Sequence, residues 1–346
     1  MVKKKIVWFS NKFLKGDNGS TGTWLLALSS KISELQEYEL YNITSADTPK
    51  IKAIQGLGIK QWLIPESFSD SHGLISSESK MKIIKIINEI NPDLIHVWGV
   101  ENYWGTITSE IKDEFPVLLE IQGIKGAIEP YFYGDLSRKE QFKTIGVKEI
   151  LKFKNIFTQK KKYSFWNEIE TQIIKNHHLI STHSLWAESK VMELNPNCKM
   201  FKNERILRKE FYSTEGWVPN QNKIIFTSIG YPAPFKGLYT LIKALELIKF
   251  QFPNITLEIA GNITINGIRT DGYIKFILNE IKKRDLSNNI KWIGGINSTE
   301  IISRMKDSSI SIFPSFIESY GLALAESMVV GLPTIGAFNG GYGYLG

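Results

Sequence analysis

The chain has 346 residues, with 42 lysine and arginine residues against 35 acidic residues, and one cysteine, Cys198. This length is too great for one typical domain and suits two. A single cysteine excludes an internal disulfide and a cysteine-rich zinc site, and it favours a reducing cytoplasm as the setting. Because no apolar run approaches eighteen residues, a membrane-spanning helix is not expected.

Strand-like and helix-like segments alternate along the first two thirds of the chain. Helical periodicity covers 22–35 and 80–90. Apolar runs that predict strands lie at 5–10, 38–43, 60–64, 94–99, 116–123 and 179–183. Because strands alternate with helices, the pattern predicts an α/β domain built on a parallel sheet.

A polar stretch with glycine and proline, STEGWVPNQN, interrupts this pattern and is interpreted as a hinge. The predicted domains are therefore 1–213 and 223–346, joined by 214–222. Helical patterns after the hinge cover 237–252 and 322–330. Strands are predicted there at 223–229, 255–261, 290–294, 310–314 and 333–338. The second domain is thus also expected to be α/β.

The most informative pattern lies in the last forty residues. Glu318 and Glu326 are eight positions apart around a Tyr320-Gly321 turn, after a predicted strand and at the start of a predicted helix. Ligands of open α/β sheets bind at the carboxyl ends of strands, and a helix N-terminus favours a phosphate. A sugar-bearing nucleoside diphosphate suits this layout, with Glu318 on sugar hydroxyls and Glu326 on the ribose. Taken alone, the two glutamates also fit a solvated loop acid and a helix-surface residue.

This segment resembles the donor-binding motif of the retaining glycosyltransferases of family four, which have the GT-B fold. The resemblance implies two Rossmann-like, doubly wound α/β domains facing a cleft, with a nucleotide-sugar donor on the second domain and the acceptor entering from the first. The family's second domain has one more strand and closing helices, so this domain is expected to be incomplete. The matching positions are Pro314-Ser315, Glu318, Tyr320-Gly321-Leu322, Glu326, Gly331-Leu332-Pro333 and Gly340-Gly341.

The same resemblance implies further donor contacts in the second domain. Lys236, in a Lys-Gly step, is expected to bind the diphosphate, although alone it also fits a surface lysine before a helix. Tyr231 stands where the family commonly has an arginine. Gly230 and Gly261, at predicted strand ends, are expected to line the nucleotide pocket. The candidates around the glutamate turn are Ser319, Tyr320, Gly321 and Leu322.

In the first domain, the resemblance points to a loop and a strand end. Gly19 and Gly22 belong to a glycine-bearing loop that in this family approaches the donor phosphates and the acceptor. Gln122 stands where the family often has a histidine beside the reacting sugar, so it is expected in the catalytic site as a binder of a sugar hydroxyl. His96, within an apolar run, is interpreted as a buried histidine rather than a substrate contact.

A finer likeness to bacterial family-four enzymes of surface-polysaccharide assembly covers the middle of the chain. It implies that Asn203, Glu204 and Arg208 face the cleft, at a strand end and a helix start. The alternative is that Glu204 and Arg208 form an i,i+4 pair on a solvated helix.

Positive charge is concentrated in 138–162, which holds nine lysine or arginine residues and two acidic residues among several aromatic ones. Such a helical region can lie on an anionic membrane. Peripheral contact through 138–166 with the inner face of the membrane is therefore predicted, with a solvated basic helix as the alternative. Nucleic acid is not an expected partner, because no recognition motif accompanies the charge.

Together these features predict a retaining glycosyltransferase. It would move a sugar from a nucleoside-diphosphate sugar to a glycan or lipid-linked acceptor, in the cytoplasm, during cell-surface polysaccharide synthesis. No cofactor besides this co-substrate is expected, and the histidine spacings predict no bound metal. Two alternatives stay open: a non-catalytic relative that binds sugar nucleotides, consistent with Tyr231 and Gln122, and a GT-B epimerase or phosphorylase.

Overall fold

A computed structural model describes residues 2–14, 23–151, 154–230, 232–267 and 270–345, apart from the side chain of Thr23. The described residues form two compact units. Of the described residues, the first unit contains 2–14, 23–126 and 165–206. The second unit contains 127–151, 154–164, 207–230, 232–267 and 270–345. The predicted boundaries, a hinge at 214–222 between domains of 1–213 and 223–346, stay a prediction.

Strands in the described part of the chain belong to two sheets. They are β1 (Lys4–Ser10), β2 (Tyr38–Ala46), β3 (Lys52–Gly56), β4 (Ile59–Pro65), β5 (Leu94–Trp98), β6 (Val117–Glu120), β7 (Leu179–Thr182), β8 (Lys199–Lys202), β9 (Ile224–Ser228), β10 (Thr256–Ala260), β11 (Ile290–Gly294), β12 (Ile310–Phe313) and β13 (Thr334–Gly336).

Helices connect most of these strands. They are α1 (Thr23–Glu34), α2 (Ser77–Ile90), α3 (Trp104–Ile111), α4 (Lys125–Ile128), α5 (Arg138–Lys143), α6 (Val147–Leu151), α7 (Ile156–Asn176), α8 (Leu185–Leu194), α9 (Lys209–Tyr212), α10 (Leu238–Lys249), α11 (Gly272–Lys283), α12 (Ser298–Asp307), α13 (Leu322–Val330) and α14 (Tyr342–Leu345). Among the described residues, none of these helices is long and apolar enough to cross a membrane.

The first unit is built on a sheet with the strand order β3-β4-β2-β1-β5-β6-β7-β8. Neighbouring strands are parallel, except that β3 pairs with β4 in the antiparallel sense. β3 and β8 stand at the two ends of the sheet and are mostly exposed. They lack the long apolar run of a strand covered on both faces, which is why the hydrophobic pattern did not predict them.

The second unit is built on an all-parallel sheet with the order β11-β10-β9-β12-β13. The five strands correspond to the five apolar runs predicted after the polar stretch. The chain proceeds from β9 outward to β11 on one side, and then continues with β12 and β13 on the other side. The predicted α/β class with two mainly parallel sheets is therefore confirmed.

Local sequence signals explain where the helices of the second unit begin and end. Asn297 and Glu300 form a reciprocal capping box at the start of α12. Gly331 ends α13 with a φ of 86°, a left-handed conformation that glycine adopts without strain. The apolar faces of these helices meet β9 and β10 in one core, where Phe226 and Met305 are fully buried.

A buried carboxylate joins α7 to the start of α4 in the first unit. Glu170 accepts hydrogen bonds from the backbone N–H groups of Lys125 at 2.9 Å and Gly126 at 2.6 Å. Burial outweighs these bonds and raises the pKa of Glu170 to about 7, with a smaller contribution from the nearby charge of Glu101. Burial likewise raises the pKa of Glu101. The first unit therefore holds one carboxyl group, that of Glu170, which titrates close to neutrality.

The first unit should become less stable as Glu170 ionises. Its folded-state pKa of about 7 exceeds the unfolded value of 4.5, so the folded state binds more protons in this window and stability falls as pH rises through it. Glu170→Gln should flatten this decline in the free energy of unfolding, which is measured by urea unfolding at a series of pH values around the pKa of Glu170. Glu168→Gln, an exposed position on the same helix, should preserve it. An unchanged decline in Glu170→Gln would contradict the assignment.

Candidate functional site

The strand order of the second unit creates a crevice between two particular strands. β9 and β12 are neighbours, and the chain leaves their carboxyl ends toward opposite sides of the sheet. Loops that follow such a pair of strands diverge, and ligands of open α/β sheets bind between them. The loop after β9 carries Lys236, and the loop after β12 carries Glu318.

These two predicted residues form an ion pair. Lys236 Nζ contacts Glu318 Oε1 at 2.5 Å, and Ser315 Oγ donates a hydrogen bond to the same oxygen at 2.9 Å. The Lys236 and Glu318 side chains keep 24% and 19% of their surfaces exposed, so a ligand can approach both. A diphosphate bound to Lys236 would replace Glu318 as its partner.

Glycines let the two loops approach this closely. Gly237 has a φ of 74°, and a Cβ there would lie 1.9 Å from the Pro314 carbonyl oxygen. Gly341 N–H donates to the Glu318 carbonyl oxygen at 2.6 Å. A Cβ on Gly340 would lie 2.1 Å from that same oxygen. The Lys-Gly step and the Gly-Gly loop therefore fit the backbone around Glu318, where larger residues would collide.

The start of α13 adds unpaired backbone donors beside this pair. Gly321 precedes the helix with a φ of 96° and provides no side-chain cap, so the first N–H groups, beginning with Leu322, have no intrahelical acceptor. The buried ring of Tyr342 packs against Gly321. Ser319 and Tyr320 lie in the loop just before it. This helix end carries partial positive charge and suits an anion.

Glu326, one turn farther along α13, is held by an arginine. Arg208 Nε and Nη2 donate to the two Glu326 carboxylate oxygens at 2.9 and 2.8 Å, and Arg208 Nη1 donates to Ser298 Oγ at 3.2 Å. Burial raises the pKa of Glu326, and Arg208 opposes that rise. The alternative of an i,i+4 helical pair between Glu204 and Arg208 is wrong, because 203–208 is not helical.

The remaining predicted donor-binding residues of the second unit, Gly230 and Gly261, differ in their surroundings. Gly230 is exposed after β9. Gly261 follows β10, and its N–H donates to the Gly294 carbonyl oxygen at 2.9 Å. A Cβ on Gly261 would lie 1.9 Å from the Ile229 carbonyl oxygen, so a glycine is needed there. Tyr231 lies outside the described residues.

The other predicted residues belong to the first unit. Gln122 follows β6 and is partly buried beside Gly99. Asn203 follows β8, and its backbone N–H donates to the Thr182 carbonyl oxygen at 2.8 Å. Glu204 is exposed and pairs with Lys202 at 3.3 Å. The two remaining candidates, Gly19 and Gly22, lie outside the described residues.

The sequence analysis missed a charged cluster at the carboxyl ends of β5 to β8. Glu120 is fully buried, with Arg205 Nη2 at 3.4 Å from Oε1 and His96 Nε2 at 3.7 Å from Oε2. Arg205 Nη2 also lies 2.9 Å from His183 Nδ1, and Asn203 Nδ2 donates to Glu120 Oε2 at 3.3 Å. A glutamate inside the apolar run VLLEIQ was the signal that could have revealed this cluster.

The cluster keeps the Glu120 carboxyl ionised. Burial opposes its ionisation, but the imidazoles of His183 and His96 and the charge of Arg205 together hold its pKa well below the usual range. Burial lowers the pKa of His183, so that this ring stays neutral and can accept from Arg205. His96 is buried, as interpreted from the sequence, and its ring stacks on Trp98 with 3.8 Å between centroids.

Two family models match this chain. "Glycosyl transferases group 1" matches residues 213–345, which contain Lys236, Glu318 and Glu326, and "Glycosyl transferase 4-like" matches residues 19–128. Residues 213–345 of this chain belong to the group 1 glycosyltransferases. A relative in this family, the uncharacterized glycosyltransferase YqgM of Bacillus subtilis, is 28% identical over 129 residues, which are 37% of this chain. The match spans about a third of the length of YqgM, 34%.

Solved structures of glycosyltransferases share the fold of this chain. Sucrose-phosphate synthase from Thermosynechococcus elongatus aligns with a TM-score of 0.68 and 15% identity, over 98% of this chain and 82% of that one. WaaG, a glycosyltransferase involved in lipopolysaccharide biosynthesis, aligns with a TM-score of 0.63 and 12% identity, over 98% of this chain and 83% of that one. At such low identity the likeness shows the GT-B fold alone. In the described part of the chain, no three His, Cys, Asp or Glu side chains could together hold a metal ion.

Removing Glu120 should strongly destabilise the first unit. Glu120→Ala leaves the buried Arg205 charge without its carboxylate, which costs about 3–5 kcal/mol. Glu204→Ala removes an exposed pair instead and should cost at most about 1 kcal/mol. Tryptophan fluorescence during urea unfolding reports mainly on this unit, because seven of the nine tryptophans lie in it. Equal losses in the two variants would contradict the role of the buried pair.

Proposed function

We propose that this chain is a retaining glycosyltransferase that moves a sugar from a nucleoside-diphosphate sugar to a glycan or lipid-linked acceptor. The proposed setting is cell-surface polysaccharide synthesis in the cytoplasm. The observation that carries the proposal is the Lys236–Glu318 pair, which lies where the strand order of the second sheet reverses and beside the free N-terminus of α13. The match of residues 213–345 to the group 1 glycosyltransferases and the involvement of WaaG in lipopolysaccharide biosynthesis support it.

Each group has a proposed role in this reaction. Lys236 and the backbone N–H groups after Tyr320 would stabilise the leaving diphosphate, where negative charge develops. Glu318 would accept hydrogen bonds from the donor sugar, and Glu326 from the ribose. Gln122 would bind a sugar hydroxyl. As the bond between the donor sugar and the diphosphate breaks, the acceptor hydroxyl oxygen would bond to the same sugar carbon on the same face. A diphosphate oxygen would take the proton of that hydroxyl, so that no side-chain base is required.

The Lys236–Glu318 pair predicts opposite effects of two substitutions on nucleotide binding. Lys236→Ala should weaken diphosphate binding about tenfold to a hundredfold, because a hydrogen bond to a charged group is worth roughly 1.5–3 kcal/mol. Glu318→Ala should bind the diphosphate at least as tightly as the wild type, because it frees Lys236 from a competing carboxylate. The rate of sugar transfer by this variant should nevertheless fall by at least about a hundredfold, because the hydroxyls of the donor sugar lose the carboxylate that accepts their hydrogen bonds.

These outcomes are measured by calorimetry with UDP, GDP, ADP and CDP and by transfer assays with the matching sugar nucleotide. Lys283→Ala, a mostly exposed lysine on α11, is the control and should bind like the wild type. Wild-type turnover in Glu318→Ala would overturn the assignment. Nucleotide binding without turnover in the wild type would favour a non-catalytic relative, and products formed without acceptor would favour an epimerase or phosphorylase.

We also propose that residues 138–166 contact an anionic membrane. Four apolar side chains of α5 and α6 stand out from the surface, each at least 60% exposed: Phe142, Val147, Ile150 and Leu151. The same region carries exposed basic residues, among them Lys139 and Lys143 on α5. Apolar side chains amid lysines match the boundary between acyl chains and anionic headgroups better than they match water.

Membrane contact should depend on both the charge and the apolar side chains. The wild type should co-sediment with liposomes increasingly as their anionic lipid content rises. Lys139→Gln/Lys143→Gln should weaken this by about 1 kcal/mol per lysine. Ile150→Asp/Leu151→Asp should abolish it. Leu247→Asp, an exposed leucine on α10, is the matched control and should sediment like the wild type. Unchanged sedimentation of both test variants would refute the proposal.

A further inference from the structure

The pair between Arg208 and Glu326 has a geometry that limits what each group can do. The guanidinium approaches the carboxylate side-on and donates one hydrogen bond to each oxygen, at 2.9 and 2.8 Å. A carboxylate oxygen has two acceptor positions, so each Glu326 oxygen keeps one for another donor. Nη1 of Arg208 is engaged as well, because it donates to Ser298 Oγ at 3.2 Å.

Packing holds Arg208 in this orientation. The guanidinium carbon lies 4.8 Å from the ring centre of Phe211, which is itself buried. The arginine side chain is 11% exposed and the glutamate side chain 10% exposed. Both groups are thus largely removed from water. In such a setting, a bidentate arginine–carboxylate pair is stronger and more directional than a single charged contact.

Arg208, the residue before α9, is the charged partner of Glu326. The described elements that pack most closely against α13 are α9, α12, β12 and β13. α13 has no second charged residue, and β12 and β13 have none. On α12, Glu300 binds the Asn297 backbone and Arg304 pairs with Glu258. The other charged residues of α9 and α12 are Lys209, Glu210, Lys306 and Asp307.

We propose that Arg208 is a positioning residue: it holds Glu326 ionised and turns the free acceptor positions of that carboxylate toward the hydroxyls of a bound nucleoside. Arg208 would then act through Glu326 and would not contact the diphosphate itself. This inference rests on the proposed function in one respect, that Glu326 receives the ribose. In the rival role, Arg208 would bind the diphosphate directly. It would then take the place of the family's usual arginine, whose position holds Tyr231 in this chain, and the two roles predict different measurements.

The first test needs no ligand. Burial already raises the pKa of Glu326 and Arg208 opposes the rise, so Arg208→Met should move the Glu326 titration to higher pH. The titration is followed by carbon NMR of carboxyl-labelled glutamate, with Glu326→Gln identifying the resonance. Arg208→Lys should give an intermediate midpoint, because it restores the charge without the fork. An unchanged midpoint in Arg208→Met would overturn the inference.

The second test separates positioning from diphosphate contact by the choice of ligand. UDP and uridine are compared, or the corresponding pair of another base if the nucleotide panel selects it. Positioning predicts that Arg208→Met weakens both ligands by the same factor, because both carry the ribose. It also predicts that the loss grows as pH falls through the raised midpoint. A loss confined to UDP and independent of pH would show diphosphate contact and overturn the inference.

A double variant guards against misfolding. Arg208→Met/Glu326→Gln removes both buried charges together, which structures tolerate better than one unpaired charge. Positioning predicts that it binds UDP within about twofold of Glu326→Gln alone, because the two effects are not additive. A further tenfold loss would overturn the inference. Arg304→Met, a half-exposed arginine on α12, is the matched control and should bind like the wild type.

The outcomes also distinguish this inference from the proposed function. A wild type that binds none of the nucleotides would refute the proposed donor site, whereas the titration of Glu326 would still decide whether Arg208 keeps it ionised. A wild type that binds nucleotides, together with additive losses in the double variant, would leave the proposed function standing and refute the positioning role alone.

Discussion

The reversal of strand order between β9 and β12 is the constraint on which the second unit depends. Parallel strands that are neighbours in the sheet end on the same edge, so their following loops are forced together at that edge. Here those loops bring Lys236 to Glu318 although 82 positions separate them. Glycine is then required at Gly237, in the loop after β9, and at Gly340, in the loop after β13, because a Cβ at either position would collide with the backbone around Glu318. The proposed diphosphate site beside the start of α13 therefore rests on the topology rather than on any single residue.

Three carboxylates of this chain are each balanced by a cation of the same unit. Glu318 has Lys236, Glu326 has Arg208, and Glu120 has Arg205. The three ion pairs differ in how deeply they are buried. The Lys236 pair remains partly exposed, which allows a ligand to exchange with one partner. The other two pairs are nearly or fully enclosed, where separating the charges would cost far more and the pair instead fixes an orientation.

Part of this organisation could be predicted from residues alone. Apolar runs located the central strands of both sheets, because strands covered on both faces carry an unmistakable hydrophobic signal. The edge strands β3 and β8 escaped prediction, since their exposure erases that signal. The spacing of Glu318, Gly321 and Glu326 pointed to the donor side. By contrast, the cluster around Glu120 was missed, because it joins four strand ends that are remote in sequence.

The sequence by itself determined the fold class, the two mainly parallel sheets and the family, because periodicity and a long ordered motif are local properties. Only the tertiary structure decided which charges meet. From the sequence, Arg208 fitted either a helical pair with Glu204 or a place in the cleft. The fold excludes the helical pair and joins Arg208 to Glu326, 118 positions away. Charge pairing depends on distance in space and on burial, and the order of residues along the chain encodes neither until the sheet brings its loops together.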